Sequence, residues 1–362
     1  MKRMLPFFLA LCLLLSLTAC GAEPTPTTVP TTVPPTTEAP TEPPTTVPPT
    51  EPPTTVPATE PAVLNCNPLT GEALDAPYDG RIFAVTINNV SQALPHYGVP
   101  EADMYFDMLV NGGAIRGLAL YTDPSEVGAI GSVRSARPPF IDICQAYDAI
   151  LVYSGGSDYV LNKLYNSGIA HITEGYSAFF RDYGRYNGGY AWEHCLFVDG
   201  SLLDEAAQAS GYRLNQDPEK VYKLQFVDAV DLDGEAATEI EFNYWSNNVD
   251  MIYDAETGRY EYYLFGDPSY DGASYDVESF QNVILLWVDI YQDGEYHVSD
   301  TLGSGEGYYA CNGEIIPILW ERESEWDAFT YTMEDGTPLE LNVGNTYVGF
   351  VPNDGDCDIS WE

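Results

Sequence analysis

Basic residues are what this chain has least of. Against 55 Asp and Glu it carries 14 Lys and Arg in 362 residues, a formal net charge of −41. Phosphate contacts need a basic surface, so this balance excludes nucleic acid as a partner and disfavours anionic lipid surfaces. Cysteines are few, and no two stand as CxxC, which argues against a structural zinc site. After residue 20 no apolar run approaches the ~20 residues that cross a bilayer. GxSxG, HExxH and Walker sequences are all missing. The expectation is a protein with no cofactor or metal, leaning towards a non-enzyme. Two acidic stretches fail as calcium loops. Aligning Asp231, Asp233 and Gly234 puts Ala229 and Ile240 at the first and last ligand positions, and Asp354-x-Asp356-x-Asp358 has no closing Glu.

What is present begins at the N-terminus. Met1-Lys2-Arg3 precedes an apolar run from Leu5 to Leu17, followed by Leu17-Thr18-Ala19-Cys20-Gly21. A basic start, a short apolar stretch and small residues before cysteine predict a lipoprotein signal peptide over 1–19. Lipid on Cys20 would then hold the chain at the extracytoplasmic face of the cell membrane. Residues 20–62 form a stalk that repeats Thr-Thr-Val-Pro at 27–30, 31–34, 45–48 and 54–57. Proline fixes φ and removes hydrogen-bond donors, so this stretch is expected to be disordered and extended, with polyproline II character. Its reach is on the order of 130 Å at about 3.1 Å per residue.

The remainder is long enough for two domains, expected as an α/β domain over 63–219 and an all-β, antiparallel sandwich-like domain over 220–362. In the first, 82–87, 104–110, 115–121 and 149–153 read as strands. Pro138-Pro139 opens a helix with Phe140, Ile143 and Tyr147 on one face, and Ser157 caps a second helix. A further helix fits 202–209. In the second, alternating 238–245 and apolar 283–290 read as strands, and Thr257-Gly258, Asp293-Gly294, Asn312-Gly313 and Asp335-Gly336 as turns. Once Cys20 is lipidated, Cys66, Cys144, Cys195, Cys311 and Cys357 remain, an odd number. Disulfides and buried free thiols are equally good readings.

Charge is unevenly spread. Residues 63–199 hold 7 basic and 15 acidic residues, whereas residues 200–362 hold 5 and 35. Five of the seven basic residues are Arg116, Arg134, Arg137, Arg181 and Arg185. Arg134 and Arg137 flank Ser135 just before a helix start, where unpaired N–H groups and planar guanidinium forks suit an anion. Arg134, Ser135, Arg137, Arg181, Arg185 and His194 are therefore candidate anion-binding residues. The competing reading pairs each arginine with a carboxylate of this acidic chain.

Asn67-Pro-Leu-Thr-Gly71, Val133-Arg-Ser-Ala-Arg-Pro138 with Phe140-Ile-Asp142, Gly155-Gly-Ser157 and Phe180-Arg-Asp182 with Arg185 resemble the YerB-like family of Gram-positive lipoproteins. Gly305-x-Gly307, Asn312-Gly313 and Trp320 are similar to that family's second domain. Where the family continues Pro-His-Asn, this chain has Glu193-His194-Cys195, and Ser132 replaces a proline. The resemblance implies a lipoprotein with an α/β part followed by a β part, and no established reaction. Three functions remain open. The first is a non-enzymatic binding or scaffold protein that meets a cell-wall polymer or an envelope protein. The second is binding or processing of an anionic envelope ligand. The third is solute binding.

Overall fold

The computed structural model describes residues 65–220 and 222–362. The expected signal peptide, lipidated Cys20 and stalk lie outside these residues. Strands dominate and helices are few. Among the described residues no helix is long and apolar enough to cross a membrane.

Ten strands of the central sheet position everything that follows: β1 (Phe83–Ile87), β2 (Met104–Leu109), β3 (Ile115–Tyr121), β4 (Ile150–Tyr153), β5 (His171–Thr173), β6 (Asn282–Asp293), β7 (Tyr296–Asp300), β8 (Gly303–Cys311), β9 (Glu314–Arg322) and β10 (Thr346–Pro352). The sheet has 12 strands, and its path runs from Glu235–Ala236 through β9-β8-β6-β10-β2-β3-β1-β4-β5, with β7 paired to β6 at the side. β1, β4 and β5 are mutually parallel, while β3 is antiparallel to both β1 and β2. This mixed region carries the helices α1 (Pro138–Ala146), α2 (Asp158–Ser167), α3 (Tyr183–Asn187) and α4 (Leu203–Ala209).

Later ladders are mostly antiparallel as expected, but Glu340–Asn342 pairs in parallel with Gln225–Val227, and a second departure joins the two halves. β10 lies between β6 and β2 and runs parallel to both, with Thr346 opposite Asn282 on one side and Met104 on the other. The expected α/β and β parts therefore share one continuous sheet, and residues 61–362 cluster as a single compact unit. β2 and β10 are buried along their whole length, which is why each reads as an apolar run instead of an alternating one.

Two cores flank the sheet. On one face Phe83, Val85 and Tyr105 meet an antiparallel second sheet through Phe242, Met251 and Tyr262. On the other, Ala84, Phe106 and Leu120 meet α1 and α2 through Phe140, Ile143, Val160 and Leu164, and meet Phe329 and Leu341 of the C-terminal half. Gly117 on β3 is required by this packing, because a Cβ there would stand 2.1 Å from the Tyr105 hydroxyl. All five cysteines of the described residues are free, four of them buried.

Candidate functional site

Parallel strands bring their carboxyl ends to one edge, where ligand crevices of α/β sheets form. Here Asn88 follows β1, Ser154-Gly155-Gly156-Ser157 follows β4, and Glu174 follows β5. The segment 132–137 is laced across this edge. Asn88 N–H donates to the Ser132 carbonyl (3.1 Å), and Arg134 N–H to Thr86 Oγ1 (3.1 Å). Ser154 N–H donates to the Arg134 carbonyl (2.9 Å), and Ala136 N–H to the Gly155 carbonyl (3.0 Å). Gly155 has φ +79, and a Cβ there would come within 3.3 Å of Ser135 Oγ, so glycine suits both the turn and the close approach. Ser157 caps α2 as expected, its side chain accepting from Val160 N–H.

Arg137 occupies the N-cap of α1 with an extended backbone, and two prolines follow it. Its Nε and Nη2 donate to Asn111 Oδ1 (3.0 and 2.8 Å), and Nη1 donates to the Ala136 carbonyl (2.8 Å). The guanidinium lies 5.3 Å from the ring centre of Tyr296, on β7. Tyr296 in turn stacks on Tyr159 at the start of α2 (6.3 Å). Arg116, on β3, is buried to 4 % exposure and donates weakly to the Ser135 carbonyl (3.4 Å). Arg134 is half-buried beside them. None of these three arginines forms an ion pair with a carboxylate among the described residues. Four buried polar atoms at this edge also have no partner: Arg116 Nε, Arg134 Nε, Asn88 Oδ1 and Ser132 Oγ.

The electrostatics follow from that arrangement. Burial lowers the pKa of Arg116 most, and the neighbouring charges of Arg137 and then Arg134 lower it further. Burial also lowers Arg134 and Arg137, while Glu193 partly restores the former and Tyr296 the latter. Guanidinium groups stay protonated throughout, so these directions mark positive charge held at a disadvantage. An anion among them would relieve it.

His194 joins this group. Asn88 Nδ2 meets its Nδ1 at 2.9 Å, so with the amide donating, the ring proton sits on Nε2. Burial, and then the charge of Arg134, lower its pKa and favour the neutral ring. Arg181 sits on the rim. It donates to Glu174 Oε1 (2.8 Å) and to the Trp192 carbonyl (2.8 Å), and so follows the ion-pair reading. Arg185 does not join. It is buried, donates to the carbonyls of Ala93 and Pro95, and lies 4.3 Å from the ring centre of Tyr190. Its charge fastens the 93–95 loop. Of the expected six, Arg134, Ser135, Arg137 and His194 come together.

Arg116, Asn88, Asn111 and Tyr296 were not in the expected set. Nothing local marks Tyr296 or Asn88. Arg116 stood out as one of few basic residues in its half, but it stands apart in sequence from the helix start that marked Arg134 and Arg137.

Comparison with known proteins places the chain in a family. Residues 69–213 match the description "Protein of unknown function (DUF3048) N-terminal domain", and residues 240–348 its C-terminal counterpart. A protein of Bacillus subtilis (strain 168) described as putative lipoprotein YerB is 25% identical over 315 residues, covering 81% of this chain and 91% of its own. The crystal structure of the YerB protein from Bacillus subtilis shares the fold, with a TM-score of 0.69 at 24% identity over 82% of this chain and 99% of that one.

Proposed function

Because this chain belongs to the YerB-like family of two-part lipoproteins, we propose that it is a lipid-anchored binding protein of the cell envelope, tethered through Cys20, that takes an anionic ligand at the carboxyl-end crevice of β1, β4 and β5. One observation carries this reading. In a chain with 55 acidic and 14 basic residues, Arg116, Arg134 and Arg137 share one edge and none has a carboxylate partner among the described residues. Unpaired guanidinium groups at a surface this acidic are otherwise unfavourable, since abundant Asp and Glu are available to neutralise them. The ligand class is a phosphate or carboxylate group of a wall polymer or lipid. Arg137 brings a positive charge held in place by neutral acceptors, Asn111 Oδ1 and the Ala136 carbonyl, and His194 adds a neutral N–H donor. No nucleophile is paired with a base here, which favours binding over reaction.

A solute-binding role is less well supported. It calls for two lobes that close on a hinge, whereas the two halves here share β10 within one sheet.

Thermal unfolding with and without phosphate at matched ionic strength tests the proposal. At about ten times Kd, ligand adds about 1.4 kcal/mol, a rise of about 2 °C for a chain of this size. The Arg134→Ala/Arg137→Ala variant is expected to show no rise; an unchanged rise would refute the site.

A further inference from the structure

Beside the arginine edge, aromatic rings stand in solvent. Phe180, Tyr183, Tyr186 and Trp192 are 41%, 62%, 47% and 44% exposed. They are fixed in place. The Trp192 ring meets Tyr186 at 5.3 Å and 85°, and Tyr183 at 6.0 Å and 63°. The Arg181 guanidinium lies 4.4 Å from its centre. Asp182 caps α3 beneath the two tyrosines, accepting from Gly184 and Arg185 N–H.

This shelf is continuous with the anion crevice. Arg181 ties the Trp192 carbonyl to Glu174, Glu174 Oε2 accepts from Ser154 Oγ (3.0 Å), and Ser154 N–H holds the Arg134 carbonyl. The next two residues after Trp192 are Glu193, whose charge reaches Arg134, and His194, which meets Asn88 at the arginine edge. Aromatic faces carry negative π density, which the C–H face of a sugar ring, slightly positive, can cover. The polar fringe of Glu174, Arg181 and Glu193 suits hydroxyl groups. A membrane surface fits poorly, because these carboxylates and the overall charge of −41 oppose anionic headgroups.

The geometry points to a glycan subsite: Tyr183, Tyr186 and Trp192 take a sugar ring of a phosphate- or carboxylate-bearing glycan whose charged group sits among Arg116, Arg134 and Arg137. This rests on the anion-binding reading and names its ligand class.

Calorimetric titration of the chain from residue 20 onward, with inorganic phosphate, glucose 6-phosphate and neutral maltotetraose, tests it. Glucose 6-phosphate is expected to bind at least tenfold tighter than phosphate. Tyr183→Ala/Trp192→Ala should remove that advantage and leave phosphate binding unchanged, while Trp192→Phe should keep most of it. Equal affinity for glucose 6-phosphate and phosphate in the unaltered protein overturns the subsite. So does an advantage that survives the double substitution, or vesicle binding to phosphatidylglycerol that depends on Trp192 without any sugar effect. If phosphate itself fails to bind, the anion crevice falls separately. The shelf then stands only if maltotetraose binds and Trp192→Ala abolishes that binding; absence of maltotetraose binding would overturn the shelf too.

Discussion

Asp107 shows which force wins when a carboxylate is buried. It has no exposure, and it accepts from Asn89 Nδ2 (2.9 Å), Tyr262 Oη (2.9 Å) and Tyr347 Oη (3.3 Å). Those donors favour the ionised form, yet burial outweighs them and raises its pKa to about 6. The unfolded value is about 3.9, so between about pH 4 and 6 the folded chain keeps a proton that the unfolded chain has lost. The stabilisation from that proton is complete below about pH 4 and disappears as pH rises through 6. Asp107→Asn is therefore expected to gain on the unaltered protein by roughly 2–3 kcal/mol between pH 4 and pH 7 in urea unfolding. Parallel pH curves would contradict this. Asp103, also pushed to about 6 by burial, adds a similar background to both proteins and cancels in the comparison. None of this was legible in sequence. Spacing alone gives two acids four positions apart, and only the fold brings the tyrosines of distant strands to Asp107.

At the scale of elements, the turn after β4 holds the arginine-bearing segment in place, through Ser154 N–H to Arg134 and Ala136 N–H to Gly155. Gly155→Ala would force a left-handed backbone on a residue with a Cβ, costing about 1–2 kcal/mol, and would press on Ser135. The expected result is a melting temperature lower by about 2–4 °C, together with a smaller phosphate-induced rise. A variant that melts lower but keeps the full rise would detach this turn from the crevice. Sequence reading located these elements well, because they announce themselves locally. β1 and β4 are apolar runs, α1 begins at Pro138-Pro139, and α2 begins at Ser157. The wall given by Tyr296 was not readable, since the β6–β7 hairpin is far away in sequence and its turn residues say nothing about what it packs against. Arg185 misled for the opposite reason. Sequence placed it among the candidate anion-binding residues, while its guanidinium satisfies loop carbonyls from about ninety positions earlier.

Across the whole molecule, the two halves are held together by more than contact. β10 gives β2 a full parallel partner, from Met104↔Thr346 to Met108↔Phe350. His96 on one half also meets Glu278 on the other, both fully buried, with Ser269 Oγ donating to the same carboxylate (2.7 Å). A fragment ending at residue 219 would leave β2, buried on all sides in the intact protein, with an open edge. That fragment is expected to be insoluble or to lack cooperative unfolding by circular dichroism, and a folded, monomeric fragment would contradict the shared sheet. Length suggested two successive domains, and the shift from mixed helix and strand patterns to alternating ones suggested where they meet. Composition reports which kind of element a segment forms, and it carries no information on which distant strand will lie beside it. The strand that joins the halves is also among the last to be made. Tyr347 reaches Asp107 across 240 positions. A chain that emerges N-terminus first cannot close its central sheet until Pro352 is free, and long-range strand pairing of this kind is slow. β10 thus acts as a clock: the ladder that joins the halves can close only after residues 346–352 have emerged.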